Sequence, residues 1–280
     1  MTVAVMAVCG ALLIAGLAAG WVWSGRPFCA PPDENAPSAG DVARRLVWYA
    51  ALALMAGVLA GVTVIGAGGR LAMRLLAVTA SDDAQGRITE ADEVVGEITV
   101  DGTIGFVLFN GIFGGVLAAA LYLLVRRLLP SGRLAGLAFG LGLLVVLGTT
   151  IDPLRDDNPD FDIVGPGWLS VVVFAALALA FGLALTGITA RLSTWLPLPS
   201  TDRRTLVRYI GPAVVALVAY PLTIVLVIVG AVVVAATRWR VLLAAVRSPR
   251  AVLVGRVVAV GVVLVALPQA LSSIADIAGR

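Results

Sequence analysis

The chain has 280 residues, 60% of them hydrophobic and 13% charged, with a formal net charge of +3. A soluble domain carries about 45–50% apolar and about 25% charged residues, so a water-solvated globular fold is excluded. All 20 basic residues are Arg and there is no His, which removes His-ligated haem, the usual zinc sites and every His-based general base.

The Arg-for-Lys usage, with abundant Ala, Gly and Val, reads as the codon bias of a GC-rich bacterial genome. The apolar residues come in continuous runs of about 20, the length that crosses a hydrocarbon core of about 30 Å as a helix. A β-barrel would alternate instead. The expected fold class is all-α, a polytopic transmembrane helical bundle of about seven spans.

The first span is 3–23. It has no basic leader region, and its apolar stretch exceeds that of a signal peptide. Residues 25–45, with Pro27, Pro31, Pro32 and Pro37, predict a flexible loop. The second span is 46–66. A glycine cluster at Gly66, Gly68 and Gly69 then predicts a bent helix or a short interfacial segment. That segment carries Arg70 and Arg74 four residues apart, on one face. An acidic loop, 81–102, follows. The third and fourth spans are 103–125 and 134–150, and 151–167 is a second acidic loop. The fifth is 168–190. The sixth, 209–236, is long and interrupted by Pro212 and Pro221, and a plain crossing is favoured over a re-entrant hairpin. The seventh is 252–275. Cys9 lies in an apolar run and Cys29 in a polar loop, and both are expected as free thiols.

Charge orients the bundle. The loops after spans one, three and five carry ten arginines and four acids, whereas those after spans two and four carry four arginines and twelve acids. The positive-inside rule then sets the first group in the cytoplasm and the N-terminus outside. The arginines at 238, 240, 247, 250 and 256 break this pattern if the sixth span crosses once.

Few groups could carry chemistry. Arg70 and Arg74 are candidates for an anion or lipid phosphate. In the first acidic loop Thr89 reads as a helix N-cap. Glu90, Glu93 and Glu97 would then share one helix face and attract a cation or the two arginines. In the second, Asp156, Asn158, Asp160 and Asp162 alternate as at the opening of a calcium loop, the three aspartates being the cation candidates. Phe161 stands where that loop needs Gly, and Gly167 where it needs Glu. Gly57, Gly61, Gly111, Gly115, Gly132, Gly136 and Gly140 have the spacing that lets helix backbones approach. Asn110 is the clearest polar residue inside a span.

Span centres show almost no charge, which argues against ion-coupled transport. No phosphate loop, metal cluster or catalytic pairing is evident. The segment 69–130, the 157–162 loop and the turn at Gly165 to Trp168 resemble a group of uncharacterised multi-pass membrane proteins from GC-rich bacteria. That resemblance implies a membrane protein and no activity. Three readings follow: a structural or accessory bundle, a transporter or channel with an acidic outer vestibule, or a lipid-active membrane enzyme. The first is favoured, so an enzyme is the less expected outcome. No cofactor and no nucleic acid is implied. The expected partners are the lipid bilayer of the cell membrane and a second copy or another membrane protein.

Overall fold

In lipid every backbone N–H and C=O must be paired within the protein, which apolar runs achieve as helices. The computed structural model describes residues 2–32, 38–90, 93–236 and 248–280. Among these the chain is all-helical, with five helices long and apolar enough to cross a membrane. Helix α1 is Thr2–Trp23. Helix α2, Ala39–Ala60, starts on a reciprocal cap. The Ser38 hydroxyl accepts from the Asp41 N–H, and the Asp41 carboxylate accepts from the Ser38 N–H.

Helix α2 continues through a π-helical segment, Gly61–Gly66, into α3, Ala67–Thr79. The result is one helix of 41 residues. The glycine cluster therefore does not end it, and its first member, Gly66, closes the π segment. A second π segment, Val107–Gly114, joins α4, Val100–Phe106, to α5, Gly115–Val125. Helix α6 is only Arg133–Val146, 14 residues. At 1.5 Å per residue it is about 21 Å long. Its expected last turn, up to residue 150, instead folds back, with the Leu154 N–H donating to the Gly148 carbonyl at 2.6 Å. Helix α7 is Gly167–Trp195, α8 Arg203–Val218, α9 Tyr220–Ala236 and α10 Pro249–Ala278.

Glycines set the helix contacts. The two π segments cross each other: a Cβ on Gly61 would strike the Gly111 carbonyl oxygen, and one on Gly57 would lie 2.5 Å from the Val116 Cα. Gly115 presses on the Gly57 carbonyl in the same way. Gly136 and Gly140 of α6 pack on α7, against Gly182 and Ala178. The core between these crossings is apolar, with Ala56, Ala60, Val64, Phe139, Phe181 and Leu185 buried. Gly132 has no such neighbour. Its φ of +68° starts α6, a backbone conformation that favours glycine.

The bundle has an arginine-rich end and an acidic end. At the first, Arg126 lies 4.0 Å from the Phe28 ring centroid, Arg133 4.6 Å from Trp21 and Arg208 5.4 Å from Trp195. Basic and aromatic side chains pair in this way in the belts of membrane interfaces. The stretch expected as a flexible loop is pinned there at residue 29, whose N–H donates to Ser193 Oγ at 3.0 Å. Residues 33–37 lie outside the described residues.

The sixth expected span is not one helix. Helices α8 and α9 meet at 110° around Ala219. Pro221 has no N–H for the Leu217 carbonyl and its ring crowds it, so the helix breaks and restarts with Pro in its first turn. Thr223 Oγ1 donates at the break, 3.0 Å from the Ala216 carbonyl and 3.2 Å from that of Ala219. Going inward, Tyr209 packs beside Trp48, and Ala219 is buried with Leu54 and Val116. Coming back, Gly230 faces Leu46, near the start of α2. Helix α10 begins at the same end, with Gly255 against Leu128, and finishes at the acidic end, with Ile277 against Gly167. Arg238, Arg240 and Arg247 lie outside the described residues.

Candidate functional site

The acidic end holds every charged residue with a sequence-level case for a site. Helix α3 projects Arg70 and Arg74 towards the loop above it. The Arg70 side chain is 8% exposed. Its Nε donates to Thr103 Oγ1 at 3.2 Å, its guanidinium lies 5.6 Å from the Phe106 ring centroid, and Nη2 is 4.0 Å from Glu93 Oε1. That last contact balances charge without being a hydrogen bond, and Nη2 is buried with no hydrogen-bond partner. Gly102 makes the approach feasible, since a Cβ there would collide with the Glu93 carboxylate and come within 2.9 Å of Nη2. Arg74 takes a different partner, donating to the Gly96 carbonyl at 2.9 Å.

The loop between α3 and α4 is not the helix expected from Thr89. It is a tight hairpin, with an isolated antiparallel bridge between Ile88 and Val94 and the Thr89 N–H donating to the Glu93 carbonyl at 2.9 Å. The N-cap is ten residues later, at Thr99, whose Oγ1 accepts from the Gly102 N–H. Glu90, Glu93 and Glu97 consequently share no helix face. Glu90 turns to Arg155, whose Nη2 lies 2.7 Å from both its carboxylate oxygens. This hydrogen bond holds the Arg155 guanidinium more firmly protonated. Glu97 has no ion-pair partner among the described residues.

The second acidic loop is held by a buried apolar plug beneath its exposed acids. Leu154 is fully buried and Phe161 nearly so, packed with Leu144 and Ile277. Asn158 caps the short 3-10 turn Pro159–Asp162, accepting from the Asp160 N–H. Asp160 accepts from the Glu90 N–H at 2.8 Å, and Asp162 pairs with Arg280 at 3.1 Å. Asp156 contributes its carbonyl, to Arg280 Nη2 at 2.6 Å. Asp152 keeps an exposed edge, yet loss of surrounding solvent pushes its carboxyl up from the ordinary range, against the pull of Arg155. The Asp160 and Asp162 carboxylates thus take different partners, and Asp156 offers its backbone carbonyl instead. Among the described residues no group of three acids or thiols could hold a metal ion.

Chemically, this arrangement ties loops to helices. Arg155 links the second loop to Glu90 of the first, Arg280 links α10 to the second, and Arg70 and Arg74 fasten the first to α3. The Arg155 and Arg280 contacts join residues 65 and 118 positions apart, a pairing without a local sequence signal. Open depressions of about 360 Å³ beside Thr79, Ser81, Asp162 and Arg280, and of about 470 Å³ beside Arg203, Arg204 and Arg208, lie at opposite ends of the bundle. Between those ends, two buried threonine hydroxyls return to their own helix. Thr186 donates to the Gly182 carbonyl and Thr189 to that of Leu185. No protein-family model, curated protein or solved structure matches the chain.

Proposed function

We propose that the chain is a structural or accessory bundle of the cell membrane, non-catalytic, working through its contacts with lipid and protein partners. The observation that carries this reading is how the polar groups are used. Charged groups of the acidic end are spent on one another in the Glu90–Arg155 and Asp162–Arg280 pairs. The interior is closed by glycine-to-backbone contact and apolar side chains. A transporter needs polar groups converging along a path, and a lipid-active enzyme needs them converging on a pocket.

The proposed topology has the N-terminus outside and the arginine-rich end in the cytoplasm. It has six crossings, made by α1, α2–α3, α4–α5, α6, α7 and α10. Helices α8 and α9 enter and leave from the cytoplasmic side as a re-entrant hairpin. What supports this is the neighbourhood of each end: Tyr209 near Trp48 on the way in, Gly230 near Leu46 on the way out, and Gly255 near Leu128 at the start of α10. With the hairpin, fifteen of the twenty arginines fall on one side, including all five that a plain crossing would misplace.

Purification in mild detergent, with identification of bound protein and lipid, and reconstitution into liposomes test the functional reading. A stoichiometric membrane-protein partner or a second copy is expected, with no cation flux above empty liposomes. Flux that falls when Glu90 and Glu93 are neutralised, or a clean monomer turning over lipid, would overturn it.

A further inference from the structure

A carboxamide in hydrocarbon is costly unless it is hydrogen-bonded. Asn110 sits in the π segment between α4 and α5. At 1.5 Å per residue it is about 15 Å from Val100 and about 22 Å from Val125, close to the middle of that span. Its side chain is exposed and hydrogen-bonds to nothing among the described residues. The hydroxyls at similar depth differ. Thr63, for example, donates to the Leu59 carbonyl of its own helix at 2.6 Å.

Asn110 does not stand alone on its face. Asn110, Gly114, Leu117, Leu121 and Leu124 recur at intervals of four, three, four and three, the seam spacing of helices that pack knobs into holes. Leu117 is 56% exposed and Leu124 77%. A Cβ on Gly114 would meet only the Phe109 carbonyl of its own helix, at 3.9 Å, so a neighbouring backbone could come close there. The adjoining face is taken, because Ile112, Phe113 and Val116 pack with α8 and α9.

We propose that this seam joins two copies of the chain, with the two Asn110 amides hydrogen-bonded to each other at its membrane-buried end. A second copy fits for a specific reason. A carboxamide carries both donors and an acceptor, so two identical amides satisfy each other reciprocally. Two copies inserted the same way run their α5 helices parallel about a two-fold axis, which brings residues of equal depth together. The inference rests on the membrane-spanning reading and does not require an accessory role.

The test is disulfide trapping in native membranes, in a Cys9→Ala, Cys29→Ser background. Leu117→Cys is expected to give a covalent species of two copies of the 28.7 kDa chain. Val265→Cys, 82% exposed on α10, is expected to give none. In mild detergent, Asn110→Leu should weaken the non-covalent dimer about threefold to thirtyfold, and Asn110→Gln should retain most of it. Leu117→Cys that stays monomeric, or that links only to a different protein, would overturn the proposal. So would Val265→Cys dimers of equal yield, or an unchanged dimer in Asn110→Leu. The trapping arm keeps Asn110 intact, so it decides the matter even if Asn110→Leu fails to fold. Loss of the dimer would leave the membrane topology untouched, since loop labelling tests that separately.

Discussion

Gly61 and Gly111 meet where two π-helical segments cross, with the Gly111 carbonyl oxygen filling the space a Gly61 side chain would need. The obstacle is backbone, which cannot swing away as a flexible side chain could. Overpacking a core typically costs about 1–3 kcal/mol, and Gly61→Ala is expected at or above the upper end. Gly142→Ala, where a Cβ meets nothing within 4 Å, is the control. It should be neutral or stabilising by up to about 1 kcal/mol, because Ala is the better helix former. Thermal unfolding in mild detergent compares the two. Equal melting temperatures would count against the crossing.

At the acidic end, burial is expected to outweigh charge. Leu154 is fully buried, and Leu154→Ala should cost about 2–5 kcal/mol, as large-to-small core changes do. Arg155 and Glu90 are 29% and 48% exposed, and a pair so open to solvent contributes about 1 kcal/mol or less. Glu90→Gln should therefore be the milder change in the same unfolding assay. The reverse order would mean that the loop is held by its ion pair rather than by its plug.

The Arg70–Glu93 pair lies between these cases. Removing one partner of a fully buried pair costs about 3–5 kcal/mol. Glu93 is 36% exposed, so water can reach the vacated site and the expected loss for Glu93→Gln is roughly 1–2 kcal/mol. The local readout is trypsin cleavage after Arg87, an exposed residue of the hairpin that Arg70 and Arg74 fasten. Cleavage should accelerate in Glu93→Gln and more so in Arg70→Met. Unchanged rates in both would show that the fastening lies elsewhere.

The re-entrant hairpin is tested by membrane-impermeant thiol labelling, again without the native cysteines. Ser200→Cys and Arg250→Cys should label from one face of the membrane, and Asp83→Cys from the other. Labelling of positions 200 and 250 from opposite faces would replace the hairpin with a crossing.

Much of the architecture was legible along the chain, because a run of apolar residues specifies a membrane helix locally. The α7 run is an example, although it continues to Trp195, five residues past its expected end, and so is the break near Pro221, whose missing N–H is a local fact. What was not legible depends on partners distant in sequence. Thr89 and Thr99 both precede acidic residues, and the sequence alone pointed to the first as the cap. Only the pairing of Ile88 with Val94 makes a hairpin of the first, leaving the second to start α4. Glu90 finds its countercharge 65 residues away, and no periodicity announces Arg155. The glycine spacing pointed to close helix contacts, but Gly132 has the same spacing and serves as a turn. The π segments were also silent, since no residue type demands one.

The helix from Ala39 to Thr79 spans 41 residues, roughly 60 Å at 1.5 Å per residue, about twice the thickness of the hydrocarbon core. It is therefore a lever as well as a crossing. One arm carries Arg44, which donates to the Pro199 carbonyl, the other carries Arg70 and Arg74, which fasten the first acidic loop, and the π segment Gly61–Gly66 lies between them. A tilt imposed on one leaflet, by a change in bilayer thickness or by a protein bound at Ser38, would move the opposite surface with it.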